Sequence, residues 1–276
     1  MQFFTSEKIS PSTTSITDIT GVHSFLIEGN NAAVLVDTGT GAGDIKAYVE
    51  SCTKLPVSVI LTHGHCDHAG GAAWFEKVYL HRSDWELVKV HATVERKIDY
   101  VAFTQGGLPE SVSEKDFCPN RTAEYLPLED GQRFDLGGIV IEAVLVPGHT
   151  HGMTCILNHT ERSILFGDAC NPSVFLWDNE ATTVEDYRDS LLKFKEREAE
   201  YDTVYLSHGP EIVDKKILDG VIQVCGDIME GRSDEIPFHF MDYQGLMMAK
   251  EASDMGERAD GGLGNIIYNS QKIFKK

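Results

Sequence analysis

The stretch Thr62-His63-Gly64-His65-Cys66-Asp67-His68-Ala69-Gly70-Gly71 places three imidazoles and a carboxylate within six positions. It follows directly on the apolar, β-branched run Val57-Ser58-Val59-Ile60-Leu61, which reads as a buried strand, so the histidines begin where that strand ends. Imidazole nitrogens and carboxylate oxygens are the donors that zinc and other first-row metals prefer. Gly64, Gly70 and Gly71 give the backbone freedom to turn four such side chains inward. The tight spacing predicts a loop rather than one face of a helix. A histidine-rich surface loop would account for one or two of these residues, but not for the set together with the matching residues downstream.

Upstream of this stretch, His23–Glu28 and Ala33–Val36 read as two strands joined by the turn Gly29-Asn30-Asn31. The second ends at Asp37-Thr38-Gly39, where Asp37 is read either as a helix cap or as a group that orients the metal loop. Residues 45–51 carry a helical pattern and return the chain to the strand at Val57, a strand-helix-strand unit of layered α/β folds. Downstream, residues 72–75 are expected to begin a helix, and Val78-Tyr79-Leu80 a strand, with His81 structural or substrate-facing. The irregular excursion 83–121 reads as a lid, a substrate wall or a subunit contact, or equally as a solvent-exposed decoration, and a homodimer is one possible assembly. A hairpin over 133–146 runs into Pro147-Gly148-His149-Thr150-His151, and strands at 154–157 and 163–166 follow, the latter ending at Gly167-Asp168. Thr183 is expected to cap a helix through Ala199, a strand at 203–206 ends at Ser207-His208-Gly209, and a further helix covers 214–230.

Four apolar strands thus each end in a ligand-type residue beside glycine: His63, His149, Asp168 and His208. In α/β sheets functional groups gather at one end of the strands, where the loops converge. The composition narrows the partners. Forty-three acidic against 24 basic residues give a formal charge of −19, which opposes nucleic acid and anionic membranes and leaves a small-molecule substrate. No apolar run is long enough to span a bilayer, and the six scattered cysteines read as reduced thiols, so a cytoplasmic protein is expected. At 276 residues without a strong linker, the chain is read as a single domain carrying the 83–121 insertion.

With these motifs in order, the chain resembles the metallo-β-lactamase superfamily of hydrolases. The resemblance rests on His63-Gly64-His65-Cys66-Asp67-His68, Pro147-Gly148-His149-Thr150, Gly167-Asp168 and Ser207-His208-Gly209, with Asp37-Thr38-Gly39 similar to the family's early motif. It implies a four-layer αββα sandwich. It also implies that His63, His65 and His149 bind one metal, that Asp67, His68 and His208 bind a second, and that Asp168 bridges them. Coordination chemistry agrees: seven ligands are too many for one tetrahedral zinc but leave two zinc ions each an open position, with iron or manganese as alternative occupants. The implied activity is hydrolysis of a small ester, thioester or lactone by a metal-bridging hydroxide, with Asp67 also catalytic. A mononuclear iron oxygenase similar to the persulfide dioxygenases is the alternative. His151 and Asn171 are the remaining candidates near the site, although a solvated loop suits His151 and a turn before Pro172 suits Asn171 equally well. Phe175, Trp177, Phe238, Phe240 and Tyr243 read as either an aromatic pocket wall or a local core.

Overall fold

The computed structural model describes residues 2–177, 179–241, 243–253 and 256–275. It is a mixed α/β structure with three sheets. The chain divides into two compact units, residues 1–143 with 158–161, and residues 144–157 with 162–276.

In the first unit the strands β1 (Phe4–Lys8), β2 (Thr13–Asp18), β3 (His23–Glu28) and β4 (Ala33–Val36) run antiparallel. Helix α1 (Ile45–Cys52), capped by the Asp44 carboxylate, crosses over to β5 (Val57–Ile60), which pairs parallel with β4. The sheet continues in parallel through β6 (Val78–His81) and, beyond the insertion, β7 (Leu126–Leu128). Leu26, Leu35, Val59 and Leu80 bury one face of it against Ile45 and Val49 of α1. The register pairs Val36 with Ile60, so Asp37 and Thr62 emerge side by side from neighbouring strands.

The end of β5 departs from the expected loop in one respect: Cys66–Ala69 forms a single helical turn, α2, so Asp67 and His68 lie on a turn of helix while His63 and His65 precede it. A second correction concerns residues 72–75. Instead of opening a helix they make one 3-10 turn over Ala72–Trp74, because Gly71 is tied to Thr38 Oγ1 (3.1 Å) and the chain must be extended again at Phe75 to enter β6. The 83–121 excursion contains α3 (Trp85–His91) and α4 (Val94–Gln105), the latter capped by Thr93 and ended by Gly106 at φ +68°.

A six-stranded sheet has the order β14-β13-β11-β10-β9-β8, built from β8 (Arg133–Asp135), β9 (Val140–Leu145), β10 (Thr154–Asn158), β11 (Ser163–Leu165), β13 (Thr203–Tyr205) and β14 (Ile212–Val213). The parallel register of β11 with β13 pairs Leu165 with Tyr205, so Asp168 and His208 each stand three residues beyond a paired position. In the second unit α5 (Val184–Lys195) is capped by Thr183 as expected, although it ends four residues early, and α6 spans Ile217–Met229. Phe166, Val204, Tyr187, Leu191, Val221 and Val224 form this unit's core. A third sheet, β12-β17-β16-β15, joins Val174–Leu176, Ile266–Asn269, Tyr243–Met248 and Ile236–Phe240. Among the described residues no helix is long and apolar enough to cross a membrane.

Candidate metal centre

The first unit contributes its four ligand-type residues from one short stretch, and all are buried. Asp37 organises them. Held at φ +61°, a conformation that Asp tolerates better than most residues, it accepts the Thr62 amide on Oδ1 (2.7 Å) and both the Thr62 hydroxyl (2.8 Å) and His68 Nδ1 (2.9 Å) on Oδ2. The sequence left Asp37 between helix cap and orienting group; the geometry makes it the latter. Thr38 adds a second clamp, its amide and hydroxyl both donating to the His68 carbonyl (2.7 and 2.9 Å).

These bonds fix which ring nitrogens carry protons. The single Thr62 hydroxyl hydrogen goes to Asp37, so the 3.0 Å contact of Thr62 Oγ1 with His63 Nδ1 requires His63 Nδ1 to donate. His63 Nε2 is then the lone-pair nitrogen, and it faces His65 Nδ1 at 3.1 Å, a distance that needs a proton or a cation between the two. His68 is oriented in the same way: its Nδ1 donates to Asp37, and its Nε2 points towards Asp67 Oδ2 at 3.6 Å.

The second unit repeats this chemistry with residues from three strand ends. His149 Nδ1 lies 2.7 Å from the Phe175 carbonyl, which only accepts, so Nε2 bears the lone pair. That nitrogen faces Asp168 Oδ2 at 3.5 Å, while His208 Nε2 lies 3.5 Å from Asp168 Oδ1. In each unit, therefore, an imidazole whose Nδ1 is committed to an oxygen turns its Nε2 onto a carboxylate beyond hydrogen-bond distance. Two acceptors so placed repel each other in the absence of a cation, and a metal ion satisfies both. The donor set thus fits divalent metal, and histidine and aspartate side chains form groups able to hold such ions.

The other candidates separate. His151 is exposed and its Nε2 meets the Asn179 carbonyl at 3.1 Å, so it is a loop residue. Asn171 is buried, and its Oδ1 accepts the Ser173 amide (2.8 Å), which shapes the turn around Pro172. His81 caps the turn that follows β6 by accepting the Ser83 amide. Burial and the adjacent Asp67 charge push the Cys66 thiol well up, so it stays protonated and inert. The aromatic residues form a local core around Trp177, Leu246 and Ile267, with Trp177 and Tyr243 stacked at 4.5 Å; Trp177 lies 6.1 Å from the His149 ring.

Several supporting residues escaped the sequence reading. Asp84 Oδ2 accepts the Gly64 amide (3.1 Å), and the His91 ring lies 4.8 Å from that of His65. The buried Lys97 amine donates to the carbonyls of Gly70 (3.1 Å) and Cys118 (2.6 Å), and burial lowers its pKa. Tyr187 donates to the Ala169 carbonyl (2.5 Å), and its ring fills the space that a side chain at Gly148 would take. Nothing in the local pattern singles these out: Asp84 immediately precedes α3, His91 is its last residue, and Tyr187 reads as a core residue of α5.

Comparison with known proteins agrees with this picture. The family model described as the metallo-beta-lactamase superfamily matches residues 17–208. The acyl-coenzyme A thioesterase MBLAC2 of Homo sapiens is 26% identical over 156 residues, covering 51% of this chain and 55% of that protein; the chain thus spans about half the length of this curated relative. Among solved structures, TTHA1623 in a di-iron-bound form is similar at 24% identity and a TM-score of 0.55, covering 75% of this chain and 94% of that one. The metallo-beta-lactamase FIM-1 from Pseudomonas aeruginosa, in a mono-zinc form, is similar at 17% identity and a TM-score of 0.56, covering 80% and 93%. These likenesses carry the fold, and fold members hold iron in one case and zinc in another. With the motifs in family order and the family model matched over most of its length, the chain belongs to the metallo-beta-lactamase superfamily.

Proposed function

We propose that this protein is a dinuclear metal-dependent hydrolase of small carbonyl substrates, with thioesters foremost among esters, thioesters and lactones. The observation that carries the reading is the Asp168 carboxylate, one oxygen 3.5 Å from a His149 nitrogen whose lone pair is fixed by Phe175, the other 3.5 Å from His208. A carboxylate set between two imidazoles in this way suits a bridging ligand. In the proposed centre His63, His65 and His149 hold one ion, Asp67, His68 and His208 hold the other, and Asp168 is shared. The metals, when bound, lower the pKa of water towards neutrality and polarise the substrate carbonyl.

The chain's own residues then have separable tasks. Asp37 and Thr62 keep the His63 and His68 rings turned so that Nε2 of each stays available, and the Phe175 carbonyl does the same for His149. Asp67 stands beside His68, its Oδ2 3.6 Å from Nε2 of that ring, and is suited to align the attacking solvent and to pass a proton to the leaving group. A thiolate needs little help of this kind, whereas an alkoxide needs more. The preference for thioesters draws on the thioesterase relative, whose name describes that activity.

The test is elemental analysis of protein purified without added metal, followed by turnover assays on thioesters, lactones and phosphodiesters. About two metal equivalents per chain with thioester or lactone hydrolysis is the expected result. About one iron per chain with oxygen consumption would replace the hydrolase with the oxygenase reading. Turnover confined to phosphodiesters would keep the metals and discard the carbonyl substrate.

A further inference from the structure

His63 is oriented by Thr62 and His68 by Asp37, and His65 too stands against another side chain of its unit. That side chain comes from the insertion. The His91 ring centre lies 4.8 Å from that of His65 at an interplanar angle of 39°, and a ring nitrogen of each lies within 4.8 Å of the other's. His91 is 7% exposed, so this contact is sheltered from water. Because His65 turns Nδ1 to His63, its opposite nitrogen is on the side of the ring away from that contact.

The same helix touches the loop at its other end. Asp84, immediately before α3, accepts the Gly64 amide at 3.1 Å. A methyl group built on Gly64 would sit 3.0 Å from the Val88 amide and 3.2 Å from the Asp84 carbonyl, so the α3 backbone lies directly on the residue between the two histidines. Any larger residue here would push the helix back by a few tenths of an ångström. One short helix thus holds the Gly64–His65 segment by its backbone at one end and by an imidazole at the other.

We propose that the α3 segment of the insertion is a brace for the histidine loop, and that His91 is the positioning residue that fixes the His65 ring for metal. This rests on the metal reading above and deepens it. It gives this part of the 83–121 excursion a task inside the centre. Groups that orient a metal-binding histidine act on affinity through the geometry of the ring they hold.

The experiment compares wild type with His91→Ala and His91→Gln in the full chain. Zinc affinity is measured by chelator competition on metal-depleted protein, and thermal unfolding of the same metal-depleted samples reports whether each variant keeps the fold. The expected result is a loss of about tenfold or more in affinity for one of two ions in His91→Ala, with most of it restored in His91→Gln, which retains a buried hydrogen-bonding group. Unchanged affinity in a folded His91→Ala overturns the proposal. So does a folded His91→Gln as weak as the alanine variant, since His91 would then act as packing alone. Should His91→Ala fail to fold, the glutamine variant decides by the same criterion. A wild-type chain that takes up no ion defeats the metal reading itself, and this inference falls with it.

Discussion

The two units hold their ligand-type residues by different means. In the first, His63, His65, Asp67 and His68 come from one stretch, and the groups that steady them are polar or charged: Asp37 beneath Thr62 and His68, Asp84 on Gly64, and Lys97 on the carbonyl that ends α2. In the second, His149, Asp168 and His208 come from three separate strand ends, and the main support is aromatic: the Tyr187 ring under Gly148, with its hydroxyl on the Ala169 carbonyl. A dense run of ligands brings its own backbone amides and carbonyls close together, and these need hydrogen-bond partners once buried. Ligands drawn from three strand ends crowd less backbone together; there the Phe175 carbonyl holds the His149 ring and the Tyr187 ring packs the loop before it.

Asp37 is where this contrast is most exposed to failure. Replacing it with alanine strands the Thr62 amide, the Thr62 hydroxyl and His68 Nδ1 in a buried site and places alanine at φ +61°. A stability loss of about 3–5 kcal/mol is expected in urea unfolding of metal-free protein, with a smaller loss for Asp37→Asn, which tolerates that backbone better. A loss under ~1 kcal/mol for the alanine variant would mean the polar clamp does not hold the first unit.

Packing in the second unit is tested at Gly148. A side-chain carbon there would lie 2.1 Å from the Tyr187 ring, too close unless the loop or the ring moves. Gly148→Ala is expected to cost about 1–3 kcal/mol, and Tyr187→Leu in the same chain to recover part of it by vacating the space. If the double variant is no more stable than Gly148→Ala, the ring is not what confines this loop.

The smallest effect concerns charge in the first unit. Burial lowers the Lys97 pKa from its usual 10.5, so the folded state resists protonation of this amine. A base depressed in this way weakens the fold at pH values below its folded pKa, and the penalty fades as pH rises towards the unfolded value. Unfolding free energies of wild type and Lys97→Met, measured side by side across that window, are expected to diverge in favour of wild type as pH rises. Parallel curves would show that the amine carries no such penalty.

The metal motifs were legible because an ion draws its donors into a small volume, and the cheapest way to supply several is from one turn of chain or from neighbouring strand ends. Hence His63 to His68 stood out as a block, and Asp168 and His208 followed from strands whose parallel pairing sets them at equal distance beyond Leu165 and Tyr205. The local misreadings were of form: Cys66–Ala69 is helical, and residues 72–75 make a single 3-10 turn, because ties to Thr38 and the entry into β6 override local propensity.

By itself the sequence determined the class of fold, the strand ends that carry ligands and the residue types presented there, since each depends on spacing along the chain. Only the tertiary structure decided which nitrogen of His63, His68 and His149 remains available, and that Asp84, His91, Lys97 and Tyr187 support the loops. The reason is physical: a ligand must stand near other ligands, and spacing records that, whereas a brace needs only to reach the loop at contact distance, which any part of the chain can do once folded.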